Sequence, residues 1–216
     1  MKFPNAYKGV KKLYLTAIIG LLVTIAGLVS VALLALCDNN EGLKNAGLGI
    51  GSGVAILALI LFIVQMVGLN QASKDELNFR TAFRVVILSI ILGLAGSIFS
   101  AINNDVAKEV GKYVAIASDA ASLVALEYTF RGIMSLSDKY GNQEMHQQGQ
   151  KLIFIIWILW CVAMVLRIVG NIFDTNAADW LKILVAVVTI VAAIAEIVVT
   201  LITYVYYRKA VKMLEK

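Results

Sequence analysis

Proline is almost missing from this sequence, with Pro4 the only one in 216 residues. A helix anywhere beyond that point meets no residue lacking an amide N–H, which removes one common means by which transporters break helices around a mid-bilayer site. Histidine is as scarce, His146 standing alone, and there are two cysteines, Cys37 and Cys161. Three such side chains are too few for a histidine or cysteine metal centre, so neither a metal nor another cofactor is expected. The cysteines fall at different depths, one at the end of an apolar run and the other near the middle of another, and no disulfide is expected between them. Charge is also sparse: 15% of residues are Asp, Glu, Lys or Arg, against about a quarter in soluble domains.

Apolar residues fill the space, at 60% of the chain and a mean hydropathy of +0.84. The solvent this composition suits is lipid, and the uncharged runs leave no length for a separate soluble domain, so residues 1–216 read as a single all-α membrane domain. A span needs about 20 apolar residues to cross roughly 30 Å of hydrocarbon. Six segments meet this, at about 13–37, 47–69, 83–102, 110–134, 152–173 and 183–207. The first two are free of charge, the fifth contains Arg167 and the sixth Glu196. The fourth is the least apolar, carrying Lys112, Asp119, Glu127 and Arg131 among alanines and serines. The first run is too long for a cleaved signal peptide, and Leu36, bulky and directly before Cys37, does not fit a lipidation site.

Lysine and arginine placement supports the fourth span. With six spans and both termini in the cytoplasm, only Lys44, Lys108, Lys112 and Lys182 lie outside, and nearly all of the other basic residues lie inside, as the positive-inside rule requires. Omitting the fourth span would invert the later loops and spoil this asymmetry. The net charge of +5 follows from the same residues and suits anionic lipid headgroups; no nucleic-acid motif accompanies it. The bilayer is therefore the primary partner, with another membrane protein or a second copy of the chain as further ones. Short polar loops without a glycosylation sequon suit a multi-pass protein of a bacterial cytoplasmic membrane.

The spans fall into three helical hairpins of similar length, and short matches link them. Gly96-Ser97-Ile98-Phe99 resembles Gly170-Asn171-Ile172-Phe173, and Asp38, Asp105 and Asp174 each mark an outer turn. Repeats of two helices would be parallel and related by a pseudo-threefold axis along the membrane normal. Gly47, Gly49, Gly51 and Gly53 in span two, and Gly93, Gly96, Ser97 and Ser100 in span three, are expected to let helices approach closely. The polar stretch Ser135–Gln150, with His146, reads as a connecting loop, and Tyr204, Tyr206 and Tyr207 read as interfacial anchors.

Ionisable residues within spans carry the functional reading, because each costs a few kcal/mol to bury in lipid. Glu127 and Arg131, four residues apart, share a helix face and are expected to neutralise each other. Asp119 and Arg167 lie roughly 5 and 8 Å outward of their span centres at about 1.5 Å per residue, and are expected to form a buried ion pair. Superposing the even-numbered spans brings Gln65, Glu127 and Glu196 to a similar depth in the cytoplasmic half. The reading these residues point to first is a small transporter or channel-like protein, with Glu127, Glu196 and Gln65 forming an ion or substrate site and Tyr128 and Arg131 assisting. The alternative is a non-transporting scaffold or accessory subunit whose buried charges only fasten helices. No catalytic constellation occurs: there is no histidine beside a membrane serine and no paired acidic motif, so the chain is not read as an enzyme.

Overall fold

The computed structural model describes the backbone of residues 2–36, 41–172 and 179–216; the side chains at 31, 32, 35, 36, 41, 44, 166–172 and 179–196 lie outside the description. Among the described residues the chain is all-helical. Six helices follow one another: α1 (Pro4–Leu36), α2 (Glu41–Ala72), α3 (Leu77–Ala101), α4 (Asp105–Lys139), α5 (Gln143–Ile172) and α6 (Asp179–Glu215). Four contain a segment long and apolar enough to cross a membrane, at Pro4–Ser30, Asn45–Ala72, Leu77–Ala101 and Gln143–Val165. These coincide with expected spans one, two, three and five. The surface is that of a membrane protein, with Leu22 61%, Ile98 65% and Phe154 67% exposed, a cost that water would impose and lipid does not. α4 is not among the four, and much of the sixth expected span lies on side chains outside the description.

The chain divides into two compact units, residues 1–75 with 203–216 and residues 76–202. In the first, Pro4 opens α1 at the position where its missing N–H is of no consequence. The α1 amide of Ala6 donates to Asp75 Oδ2 at 2.8 Å, and Asn5 Nδ2 donates to Asp75 Oδ1 at 2.9 Å. An acid just past the end of α2 thus satisfies the positive end of α1. Gly9 faces Gly68 and Ala72, where an added Cβ would stand 2.7 Å from the Ala72 Cβ, so the two backbones are in direct contact. Farther along, Ser30 Oγ donates to the Gly47 carbonyl at 2.7 Å, and Gly47 and Gly51 face α1. Gly49 and Gly53 do not share that role: a Cβ added at either would meet nothing from another helix within 4 Å among the described residues. At a spacing of two residues on a helix, the 49/53 pair points well away from the 47/51 pair. The tyrosines near the end of α6 also differ from expectation. Tyr206 and Tyr207 are buried, 2% and 5% exposed, and Tyr204 stacks on Tyr14 of α1 with centroids 5.2 Å apart. Tyr14 and Tyr204 hydroxyls meet at 3.3 Å.

In the second unit, α3 and α4 form a hairpin over the short link Ile102–Asn104. Asn104 caps α4, its side chain accepting from the amides of Val106 and Ala107. The helices touch along a seam of small residues in which Gly93 lies against Ser118, Gly96 against Ala115 and Gly111, and Gly111 against Ser100. Ser118 Oγ donates to the Ser89 carbonyl at 2.7 Å across it. Ser97 is exposed and bonds back to Gly93 of its own helix instead. At the other end Gly132 admits the Phe79 ring, and Phe79 and Phe130 are fully buried.

The stretch Ser135–Gln150 is not a loop. α4 continues to Lys139 and α5 begins at Gln143, separated by three residues. Gly141, at φ +69°, ends α4 by donating to the Asp138 carbonyl, and the Asn142 amide reaches back to the Ser137 carbonyl. Asn142 then caps α5, its Oδ1 accepting from the Met145 amide at 3.1 Å. His146 accordingly stands on the first turn of α5, where its Nδ1 lies 2.8 Å from Asp138 Oδ1.

A candidate polar site between α4 and α5

α4 buries more than its neighbour α3 in this unit, with Ala121, Leu123, Ala125, Phe130 and Ile133 all enclosed. Its polar side chains are therefore held against packed surfaces. Glu127, 14% exposed, lies 2.5 Å from Arg131 Nη2 on the next turn, as the four-residue spacing leads one to expect. Its second oxygen accepts from Trp157 Nε1 of α5 at 2.9 Å. The Arg131 guanidinium sits 5.7 Å from the Tyr128 ring centroid, within cation–π range, and is about half exposed at 53%. Trp157 in turn meets Trp160 edge to face at 6.0 Å.

Each Glu127 oxygen thus has a partner, one ionic and one neutral, and the carboxylate joins the two helices. Beside it is a shallow apolar cleft lined by Leu123, Leu126, Phe130, Ile153, Ile156 and Trp157, too tight to admit a water molecule. The chemistry available to such a group is binding and fastening. A carboxylate only 14% exposed and bonded through both oxygens is poorly placed to pick up and release a cation. Comparison with protein-family models, curated proteins and solved structures gives no match to this chain.

Of the other residues singled out in the sequence, Gln65 is half-buried on α2 in the first unit, and Glu127, Tyr128 and Arg131 belong to the second. Glu196 lies on α6 and Arg167 on α5, with side chains outside the described residues. Asp119 is half-buried on α4, one residue beyond the Ser118 contact with α3. Among the described residues no three His, Cys, Asp or Glu side chains converge on a common point.

Sequence reasoning missed a second polar node. Glu76, 9% exposed, accepts from Lys139 Nζ at 2.5 Å, from Ser135 Oγ at 2.9 Å and, on its other oxygen, from Asn78 Nδ2 at 3.1 Å. It ties the start of α3 to the last turn of α4. Burial works against its charge, but the bonds from Lys139 and Ser135 and the lysine's charge outweigh that and hold its pKa below the usual glutamate value. The signal available in sequence was weak: an acid between two spans, with its lysine partner far along the chain.

Proposed function

We propose that the chain is a non-transporting membrane scaffold or accessory subunit, a six-span bundle with both termini in the cytoplasm whose buried charges hold helices in register. The observation that carries this reading is that both Glu127 oxygens are engaged by protein donors, one by Arg131 and the other by Trp157, beside a cleft too tight for water. A transport site needs a carboxylate that water and substrate can reach, and each Glu127 oxygen already faces a donor of the protein. The four apolar helices and the apolar exterior support membrane residence, and the burial of α4 supports its place inside the bundle.

The alternative, a small transporter or channel-like protein with Gln65, Glu127 and Glu196 as its polar site, draws on one observation: Arg131 is about half exposed, leaving the Glu127 pair a polar edge. Reconstitution separates the two. Purified chain in liposomes carrying an entrapped pH-sensitive dye, and separately a potassium-sensitive dye, is expected to pass neither ion faster than empty liposomes. Flux that falls in both Glu127→Gln and Glu196→Gln would overturn the scaffold reading in favour of transport.

A further inference from the structure

The first turns of α1 and the last turns of α6 come from opposite ends of the sequence yet belong to the same unit, joined through Tyr14 and Tyr204. Both are amphipathic. On α1, Ala6, Gly9, Val10 and Leu13 are buried, while Lys8 and Lys11, and Lys2 just before the helix, are exposed. On α6, Tyr206, Tyr207, Ala210, Met213 and Leu214 are buried at helical spacing, while Arg208, Lys209, Lys212 and Lys216 are exposed. The apolar faces are thus used up by packing, and the basic faces are left on the outside. Lys74, exposed just past α2, adds to them.

Acidic residues are fewer than basic ones along these turns. Asp75 already serves the amide of Ala6 and the side chain of Asn5, and Glu215 is the other acid among the described residues of these turns. Aromatic rings lie beside the bases, with Lys11 Nζ 5.6 Å from the Tyr7 centroid and Lys2 Nζ 5.8 Å from that of Phe3. In sequence the residues after Lys12 and those before Arg208 are predominantly apolar, so the basic faces stand where a bilayer's headgroups begin.

We propose that these two helix ends form one composite surface that binds anionic phospholipid headgroups. A basic amphipathic face with aromatics, adjoining membrane-crossing helices, complements a lipid phosphate in both charge and position. The proposal rests on membrane residence and is independent of whether the bundle transports.

Melting of the purified full chain in neutral detergent tests it, with phosphatidylglycerol or phosphatidylcholine added at rising mole fraction. Phosphatidylglycerol is expected to raise the melting temperature, phosphatidylcholine is not, and added salt should shrink the rise. Each basic residue near an anionic surface contributes about a fivefold factor in affinity. Lys8→Gln with Lys212→Gln should therefore raise the half-maximal mole fraction roughly 25-fold. The charge-keeping pair Lys8→Arg with Lys212→Arg should restore the parental response, and Lys112→Gln, exposed on α4 in the other unit, should leave it unchanged. Equal responses to the two lipids, a glutamine pair that is folded yet responds as the parent does, or inorganic phosphate alone reproducing the rise would each overturn the proposal. A chain that stays monodisperse without detergent would instead overturn membrane residence, a separate and recognisable result.

Discussion

Glycine positions in this chain differ sharply in what they would tolerate. A Cβ at Gly132 would stand 2.9 Å from the buried Phe79 ring, while at Gly53 it would meet no described atom within 4 Å. Gly132→Ala is expected to destabilise the protein by about 1–3 kcal/mol in detergent unfolding, as overpacking does, and Gly53→Ala to be neutral or slightly stabilising. Trp157→Phe keeps an aromatic ring, though a smaller one, and removes the donor to Glu127; a loss of at least about 1 kcal/mol is expected from the interhelical hydrogen bond together with the lost packing. If Trp157→Phe matched the parent in a reversible unfolding titration, the indole bond would not be fastening α4 to α5. The Glu127–Arg131 contact was legible in the sequence because a four-residue spacing fixes it within one helix. The indole bond was not, since it depends on the register between two helices, which hydropathy does not encode.

At the scale of the element, the link between α4 and α5 teaches the most. Ser135–Gln150 reads as a loop because it is polar, yet polarity reports the surrounding solvent and not the backbone conformation. Gln, Glu, Met, Lys and Leu are good helix formers, and the actual break is confined to Gly141 and Asn142, a C-terminal glycine followed by an N-cap. Gly141→Ala, forced to a positive φ, is expected to cost about 1 kcal/mol, and Asn142→Ala a similar amount by removing the cap, both measurable by thermal unfolding. The Glu76 node makes a further prediction at the junction of α3 and α4. Because its folded pKa is depressed, its stabilisation is present above the ordinary glutamate value of about 4.3 and fades as pH falls through the lower folded value. Melting temperature followed from pH 7 to pH 3 should therefore fall less steeply for Glu76→Gln than for the parent, and equal slopes would exclude the node as a contributor. Gly47 and Gly51 met α1 as expected and Gly49 and Gly53 did not, because a run of glycines on one helix covers several faces and sequence alone does not choose among them.

For the whole molecule, the all-helical membrane character was legible from composition and from uncharged runs, since lipid forces backbone bonds to close within each segment. The arrangement of α4 was less so, because the bonds of Glu127 to Trp157 and of Lys139 to Glu76 depend on how the helices pack. The proposed six-span arrangement would place Lys74 and Lys139 on one side of the bilayer and Lys108 on the other. Cysteines introduced singly at these positions, in a chain with Cys37 and Cys161 replaced by alanine, should be labelled by a membrane-impermeant maleimide from opposite faces accordingly. Lys139→Cys labelling from the same side as Lys108→Cys would mean that α4 does not cross.

The continuous helices on either side of Tyr140–Gly141–Asn142 have a consequence for proteases. Cutting a chain requires an extended stretch of backbone, and helical residues offer one only after local unfolding. Lys139 and Lys151 are both exposed and chemically suited to trypsin, but each belongs to a helix joined to its neighbour by a three-residue turn. Trypsin admitted to that face of intact vesicles should therefore leave α4 and α5 together as one fragment, even though the link between them is the most polar stretch of the chain.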